Sequence, residues 1–250
     1  MIASLMMYAR PELSVPNGRY WARIRSELAQ RGIEAPETLA NDQDMMEVWT
    51  APDLVLSQTC GMPYRLWLHD RVQLVGTPDF GLPECKPGYY NSAIVVRADD
   101  KRAVLAEYAD ARFAFNQTHS QSGFAAAFAQ AKAADFWFSN RIQSHGHLAS
   151  ARMVAEGKAD VAAIDGVTWR LIQKYDAFAQ NLRVLEYTAP TPGLPYITAG
   201  AADADATRAA VIAAIEGLSD DDRNALGLRG FVSIPKDAYL AVPNPSKNAA

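Results

Sequence analysis

The stretch ARFAFNQTHSQSGFAAAFAQAKAA, Ala111 to Ala134, decides the fold. Ala111–Phe115 is apolar and short enough for a buried strand, and Phe124–Ala134 has the length and alanine content of a helix. Between them lies the polar octet Asn116-Gln117-Thr118-His119-Ser120-Gln121-Ser122-Gly123. A strand that runs through hydroxyls and backbone N–H groups into a helix start has the physics of an anion site, because the first-turn N–H groups lack intrahelical acceptors. The same serines also suit plain helix capping. Either way the unit is β-loop-α.

Outward from this unit the same alternation recurs. Toward the N-terminus, Ile2–Met7 reads as a strand and Gly18–Arg31 as a helix with Trp21, Ile24 and Leu28 on one face. Asp53–Leu56 reads as a strand opening into a helix start at Ser57-Gln58-Thr59, and Val72–Val75 and Ser92–Val96 as further strands. Toward the C-terminus, strands are expected at Phe136–Ser139, Val161–Ile164, Leu182–Tyr187 and Tyr196–Ala199, and helices at Ser150–Gly157, Thr168–Tyr175 and Asp203–Leu218. This is an α/β pattern, for which parallel sheets are expected. Thr188–Pro195, with three prolines and a glycine, is where the chain is expected to cross back between two blocks. The first block takes residues 1–92 with 200–250 and the second 93–199, each boundary within about eight residues. The closing NPSKNAA has the composition of a disordered tail.

The 250 residues carry 24 Lys and Arg against 28 Asp and Glu, a net charge of −4 that offers no attraction for nucleic acid or anionic membranes. Every apolar run is interrupted before the roughly 18–20 residues of a membrane span, so no membrane insertion is expected. Met1–Pro11 lacks the basic start and long apolar stretch of an export signal, which leaves a cytoplasmic location open. Cys60 and Cys85 sit in Gly/Pro-rich stretches; they either bridge or remain two separate thiols.

Several other residues stand where chemistry is done. Ser57 and Gln58 follow a strand as the serine octet does, which suggests polar donors at two strand ends. His145 and His147 resemble a metal pair, but no acid or thiol at ligand spacing completes a set, so no metal and no cofactor are expected. His147 instead stands where an imidazole could donate to an anion, or simply cap a helix. Asp165 closes an apolar strand before a glycine and fits either a cleft carboxylate or the N-cap of the next helix. Tyr8 ends the first strand, positioned to cover a ligand or to pack. No spacing pairs a nucleophile with a base: there is no GxSxG, HExxH, Walker A or GxGxxG.

Six segments together resemble the phosphate/phosphite/phosphonate substrate-binding proteins of ABC transporters. They are PDLVLSQTCGMPYR (Pro52–Arg65), LVGTPDFG (Leu74–Gly81), PGYYNSAIVVRADD (Pro87–Asp100), the Ser-x-Ser-Gly of NQTHSQSG, SHGHLASARMVAEGKADVAAID (Ser144–Asp165) and TPGLPYITAG (Thr191–Gly200). The resemblance implies the two-lobed type II periplasmic-binding fold with a ligand clamped between the lobes and hinge changes near Val95–Ala98 and Pro195–Thr198. It implies a non-catalytic protein, a small oxyanion ligand (phosphate, phosphite or phosphonate-like), an ABC permease as partner, a periplasmic address and a monomer. Ser120, Gln121 and Ser122 would bind the oxyanion with His147 and Asp165 beside them; Tyr8, Ser57, Gln58 and His119 complete the expected ligand set. Two features depart from the family pattern: Gln117-Thr118 replaces an Asp-Pro, and His119 precedes the first serine. An enzyme on the same scaffold and a soluble sensing module are the alternatives.

Overall fold

The computed structural model describes residues 1–249. Along the chain its strands are Ile2–Ser4 (β1), Leu54–Gln58 (β2), Val72–Asp79 (β3), Tyr89–Tyr90 (β4), Ser92–Arg97 (β5), Arg112–Phe115 (β6), Asn140–Gln143 (β7), Val161–Asp165 (β8), Leu182–Tyr187 (β9), Thr191–Pro192 (β10), Tyr196–Ala199 (β11) and Gly230–Val232 (β12). The chain divides into two units: unit 1 is Met1–Tyr89 with Pro192–Ala241, and unit 2 is Tyr90–Thr191 with the segment from Val242 onward.

Unit 1 is built on a sheet of order β1-β2-β11-β3-β12. β1 runs parallel to β2, whereas β11 is antiparallel to both β2 and β3, and β12 is antiparallel to β3. The helix Ser14–Gln30 buries Tyr20, Trp21, Ile24 and Leu28 along one stripe. They join Val211, Ala214 and Ile215 of the helix Ala204–Glu216 in one apolar cluster. A second cluster, including Trp49, Tyr64, Leu68 and Tyr239, packs with Leu54 and Ile197 of the sheet. Acceptor side chains start the helices: Asp44 takes the N–H groups of Met46 and Glu47, and Asp203 those of Asp205 and Ala206.

Unit 2 has the order β7-β6-β8-β5-β9. β6 is parallel to β7 and β8; β5 is antiparallel to β8 and β9. The side-chain period of two assigns the two faces: Ile94 and Val96 with Val161 and Ala163 go to one cluster, Ala93 and Val95 with Ala162 and Ile164 to the other. Burial on both faces explains why β5 and β8 read as unbroken apolar runs.

The structure departs from the sequence expectations in five places. Both sheets are mixed rather than parallel, because β11 and β5 enter antiparallel. The first strand ends at Ser4, and Met6–Tyr8 turns as a 3-10 helix. Phe136–Ser139 is not a strand: its rings stack into the unit 2 core, with Phe138 at 4.6 Å from Phe113 and Trp137 at 5.4 Å from Phe124, and the strand begins at Asn140. The chain passes between units at Tyr89–Tyr90 and Thr191–Pro192, which pair as a two-stranded ladder; the second lies inside the expected Thr188–Pro195 crossing, while the expected hinge segments Val95–Ala98 and Pro195–Thr198 lie in or beside β5 and β11. The expected tail is ordered as far as Ala249, since Lys247–Ala249 forms a 3-10 turn and Ala249 is buried with the unit 2 cluster; Ala250 lies outside the described residues.

Candidate functional site

The site in unit 2 begins where β6 ends. Gln117 O accepts from Ser120 N (3.1 Å) in a tight turn that carries His119, and the helix then runs through Gln121–Ala125 into Ala126–Ala133. Ser120 is its N-cap, with Oγ accepting from Gly123 N at 3.0 Å. The first turn is wound wide, Ala125 N reaching back five residues to Ser120 O (3.0 Å), a form enriched at binding sites. Ser120, Gln121 and Ser122 are all buried.

His147 is brought to this turn from a different element. After β7 the backbone turns at Ser144-His145-Gly146, with His145 in the left-handed region (φ +66°), and the helix His147–Ala155 starts behind Gly146. His147 Nε2 lies 2.9 Å from Ser122 Oγ and 3.5 Å from Asn116 Nδ2. Burial pushes the His147 ring down to about 4, with the Ala163 backbone opposing, and also lowers His119. Gly123 closes the arrangement: a Cβ there would fall 2.0 Å from Asn116 Oδ1 and 3.0 Å from His147 Cε1. Only a residue without a side chain lets both groups approach the helix start.

Asp165 ends β8, whose strand packs against the same wide turn, and is paired in register with Ser92. It is buried and caps the helix Gly166–Tyr175, Oδ1 accepting from Thr168 N at 2.9 Å. The capping expectation for Asp165 is therefore met. Among the residues expected in this half of the set, the structure joins Ser122 and His147 directly, with Ser120 and Gln121 in the same turn. Sequence reading overlooked Asn116 as a partner of His147; its signal was its place as the first residue after the strand.

In unit 1 the picture is different. Ser57 and Gln58 do not start a helix: both belong to β2, and the helical segment starts at Gly61 behind Cys60. The antiparallel partner β11 extends the ladder, Tyr196 pairing with Gln58 and Ile197 with Ser57, so the chain stays extended past the DLVL run. Successive strand residues face opposite ways. Gln58 lines a small cavity of about 30 Å³ together with Tyr8, Tyr20, Phe80 and Tyr196, and its Nε2 donates to Leu194 O (3.2 Å). Ser57 Oγ is buried without a hydrogen-bond partner among the described residues. Tyr8 meets Phe80 edge-on at 5.1 Å. Cys60 and Cys85 both carry thiols, not a disulfide.

Two mixed α/β units joined by paired crossing strands, with polar groups gathered at a helix start, define the two-lobed fold of periplasmic binding proteins. The chain belongs to the family of periplasmic substrate-binding proteins of phosphonate ABC transporters, whose description matches residues 56–239. No curated protein matches by sequence. Among solved structures, PhnD1 from Prochlorococcus marinus (MIT 9301) in complex with methylphosphonate is similar over 95% of this chain and 93% of its own, with a TM-score of 0.70 at 14% identity. XAC2383 from Xanthomonas citri bound to chloride ion gives 0.68 at 14% identity over 95% and 92% of the two chains. A binding protein component of an ABC phosphonate transporter (PA3383) from Pseudomonas aeruginosa gives 0.67 at 16% identity over 96% and 82%. Among the described residues no helix is long and apolar enough to cross a membrane.

Proposed function

We propose that this chain binds a small phosphate-like oxyanion, phosphate, phosphite or a simple phosphonate, and delivers it as a monomer to an ABC permease without transforming it. The observation that carries the reading is the buried start of the Gln121–Ala133 helix. There the cap Ser120, Gln121 and the Ser122–His147 pair surround first-turn N–H groups that have no intrahelical acceptor. A desolvated set of preorganised neutral donors suits a compact anion, since each hydrogen bond to a charged acceptor is worth about 1.5–3 kcal/mol. In this reading Asp165 and His119 tune selectivity beside the serine turn of unit 2, and Tyr8, Ser57 and Gln58 are the polar groups that unit 1 offers on its own. The relatives described as phosphonate-binding support the ligand class, and the family supports a periplasmic site of action. Calorimetric titration with phosphate, phosphite, methylphosphonate and sulfate tests it: micromolar or tighter binding of at least one phosphorus oxyanion is expected, and no heat from any of them refutes the reading.

A further inference from the structure

We propose that the C-terminal segment Val242–Ala249 is a releasable strap, a third tie that limits how far the two units of the ligand-free protein move relative to each other. The proposal does not depend on the identity of the ligand.

Besides the two crossing strands, the chain passes between the units a third time, at Ala241–Val242, where unit 1 ends and the last segment joins unit 2. Both ends of this segment are anchored. On the unit 1 side the helix Lys236–Leu240 is held by Tyr239, which is buried, meets Tyr64 edge-on at 5.4 Å and shares a 2.5 Å hydrogen bond between its hydroxyl and Thr77 Oγ1. Lys236 adds a 2.7 Å ion pair with Asp70. On the unit 2 side Lys247–Ala249 closes as a 3-10 turn, with Ala249 N donating to Ser246 O at 2.9 Å. Ala249 is buried in the unit 2 cluster, and its carbonyl accepts from Trp137 Nε1 at 2.9 Å.

Between the anchors lies Val242-Pro243-Asn244-Pro245-Ser246. Each proline fixes its own φ and restricts the residue before it, so Val242 to Pro245 all have a reduced range and the link is stiff. A short stiff link with both ends fixed holds its anchors at a nearly constant separation, so a movement of the units that changes this separation has to undo one of them. The unit 2 anchor is the weaker. It consists of one methyl group and one hydrogen bond, against a whole phenol ring packed into the unit 1 cluster. The strap therefore lets go at Ala249, and while it is docked it narrows the movement that the two crossing strands allow.

Pulsed electron–electron resonance tests this through the distance distribution between nitroxides on Ala29→Cys in unit 1 and Gln173→Cys in unit 2. Both are exposed helix positions, and the protein's own thiols are removed by Cys60→Ala and Cys85→Ser. Without ligand, the chain cut after Ser246 is expected to give a distribution at least about 1.5 times as wide as that of the full chain. The full-length variant Pro243→Gly/Pro245→Gly keeps both anchors and slackens the link, so it should widen the same distribution. A pair inside unit 2, Ala133→Cys with Gln173→Cys, should keep its width in both. An inter-unit width unchanged in both variants overturns the proposal. Equal broadening of the pair inside unit 2 overturns it as well, because the segment would then only stabilise that unit.

Discussion

Trp137 Nε1 donates a 2.9 Å hydrogen bond to the carbonyl of Ala249, tying the end of the chain to the aromatic cluster of unit 2. Trp137 sits among Phe113, Phe124, Phe128 and Phe138, and Ala249 is buried in the same cluster. Removing the residues after Ser246 leaves the indole N–H without its partner and uncovers apolar surface. The loss is about 1–3 kcal/mol, a melting temperature lower by roughly 2–10 °C. Differential scanning calorimetry of the truncated chain checks this, and a melting temperature equal to that of the full chain would show that the tail contributes nothing to unit 2.

Ser120 and Ser122 separate into two roles that mutation can resolve. Ser120 Oγ caps the helix through Gly123 N, so Ser120→Ala is expected to cost about 1 kcal/mol of stability and Ser120→Asn much less. Ser122 faces His147 and caps nothing, so Ser122→Ala should leave the melting temperature nearly unchanged while weakening oxyanion binding about tenfold or more. Thermal melts paired with calorimetric titrations of the two variants decide it. Equal binding by Ser122→Ala and the parent would remove Ser122 from the ligand set.

The strands of unit 2 were legible because β5 and β8 are buried on both faces and so spell continuous apolar runs, Ser92–Arg97 and Val161–Asp165. The serine turn was legible because Ser120, Ser122 and Gly123 sit between a strand and a helix with nothing else to explain the polarity. Phe136–Ser139 misled for the opposite reason: apolar composition reports burial, and these rings are buried by stacking on β6 rather than by hydrogen bonding into the sheet. The placement of Ser57 and Gln58 was misjudged because strand length depends on a partner far along the chain, β11, whose pairing no local pattern shows. The Asn116–His147 contact spans 31 residues and two elements, and spacing alone could not announce it.

Asp165→Asn isolates the charge of that side chain from its capping role. The amide oxygen can still accept from Thr168 N, so stability should change by less than about 1 kcal/mol. A negative charge removed from the neighbourhood of an anion should strengthen binding of sulfate relative to ligands that carry a proton or an amino group. Competitive calorimetry with sulfate, phosphate and 2-aminoethylphosphonate measures the ranking, and an unchanged ranking would leave Asp165 as a helix cap alone.

His147 predicts how unit 2 responds to acid. Its ring is held near 4 in the folded protein, below the ordinary value of about 6.5 that it regains on unfolding. Between these values the unfolded chain binds more protons than the folded one, so stability rises with pH across that window. The contribution is therefore fully present above about 6.5 and is lost as pH falls toward 4, on the order of 1–3 kcal/mol. Asp100 and Asp160 add a loss of the same sign at lower pH, because hydrogen bonds from Arg102 and Arg112 respectively hold their carboxyls below the usual range. In the unfolded chain these carboxyls begin to take up protons at about pH 5, so the His147 effect is read between about pH 5 and 6.5. The ring cannot be replaced by a larger group beside Gly123, so His147→Asn is the variant of choice. Urea unfolding from pH 5 to pH 7.5 should show the parent gaining stability up to about pH 6.5 more steeply than His147→Asn, whose remaining slope belongs to His119. A parent slope equal to that of the variant would mean that the His147 ring is not held neutral by its surroundings.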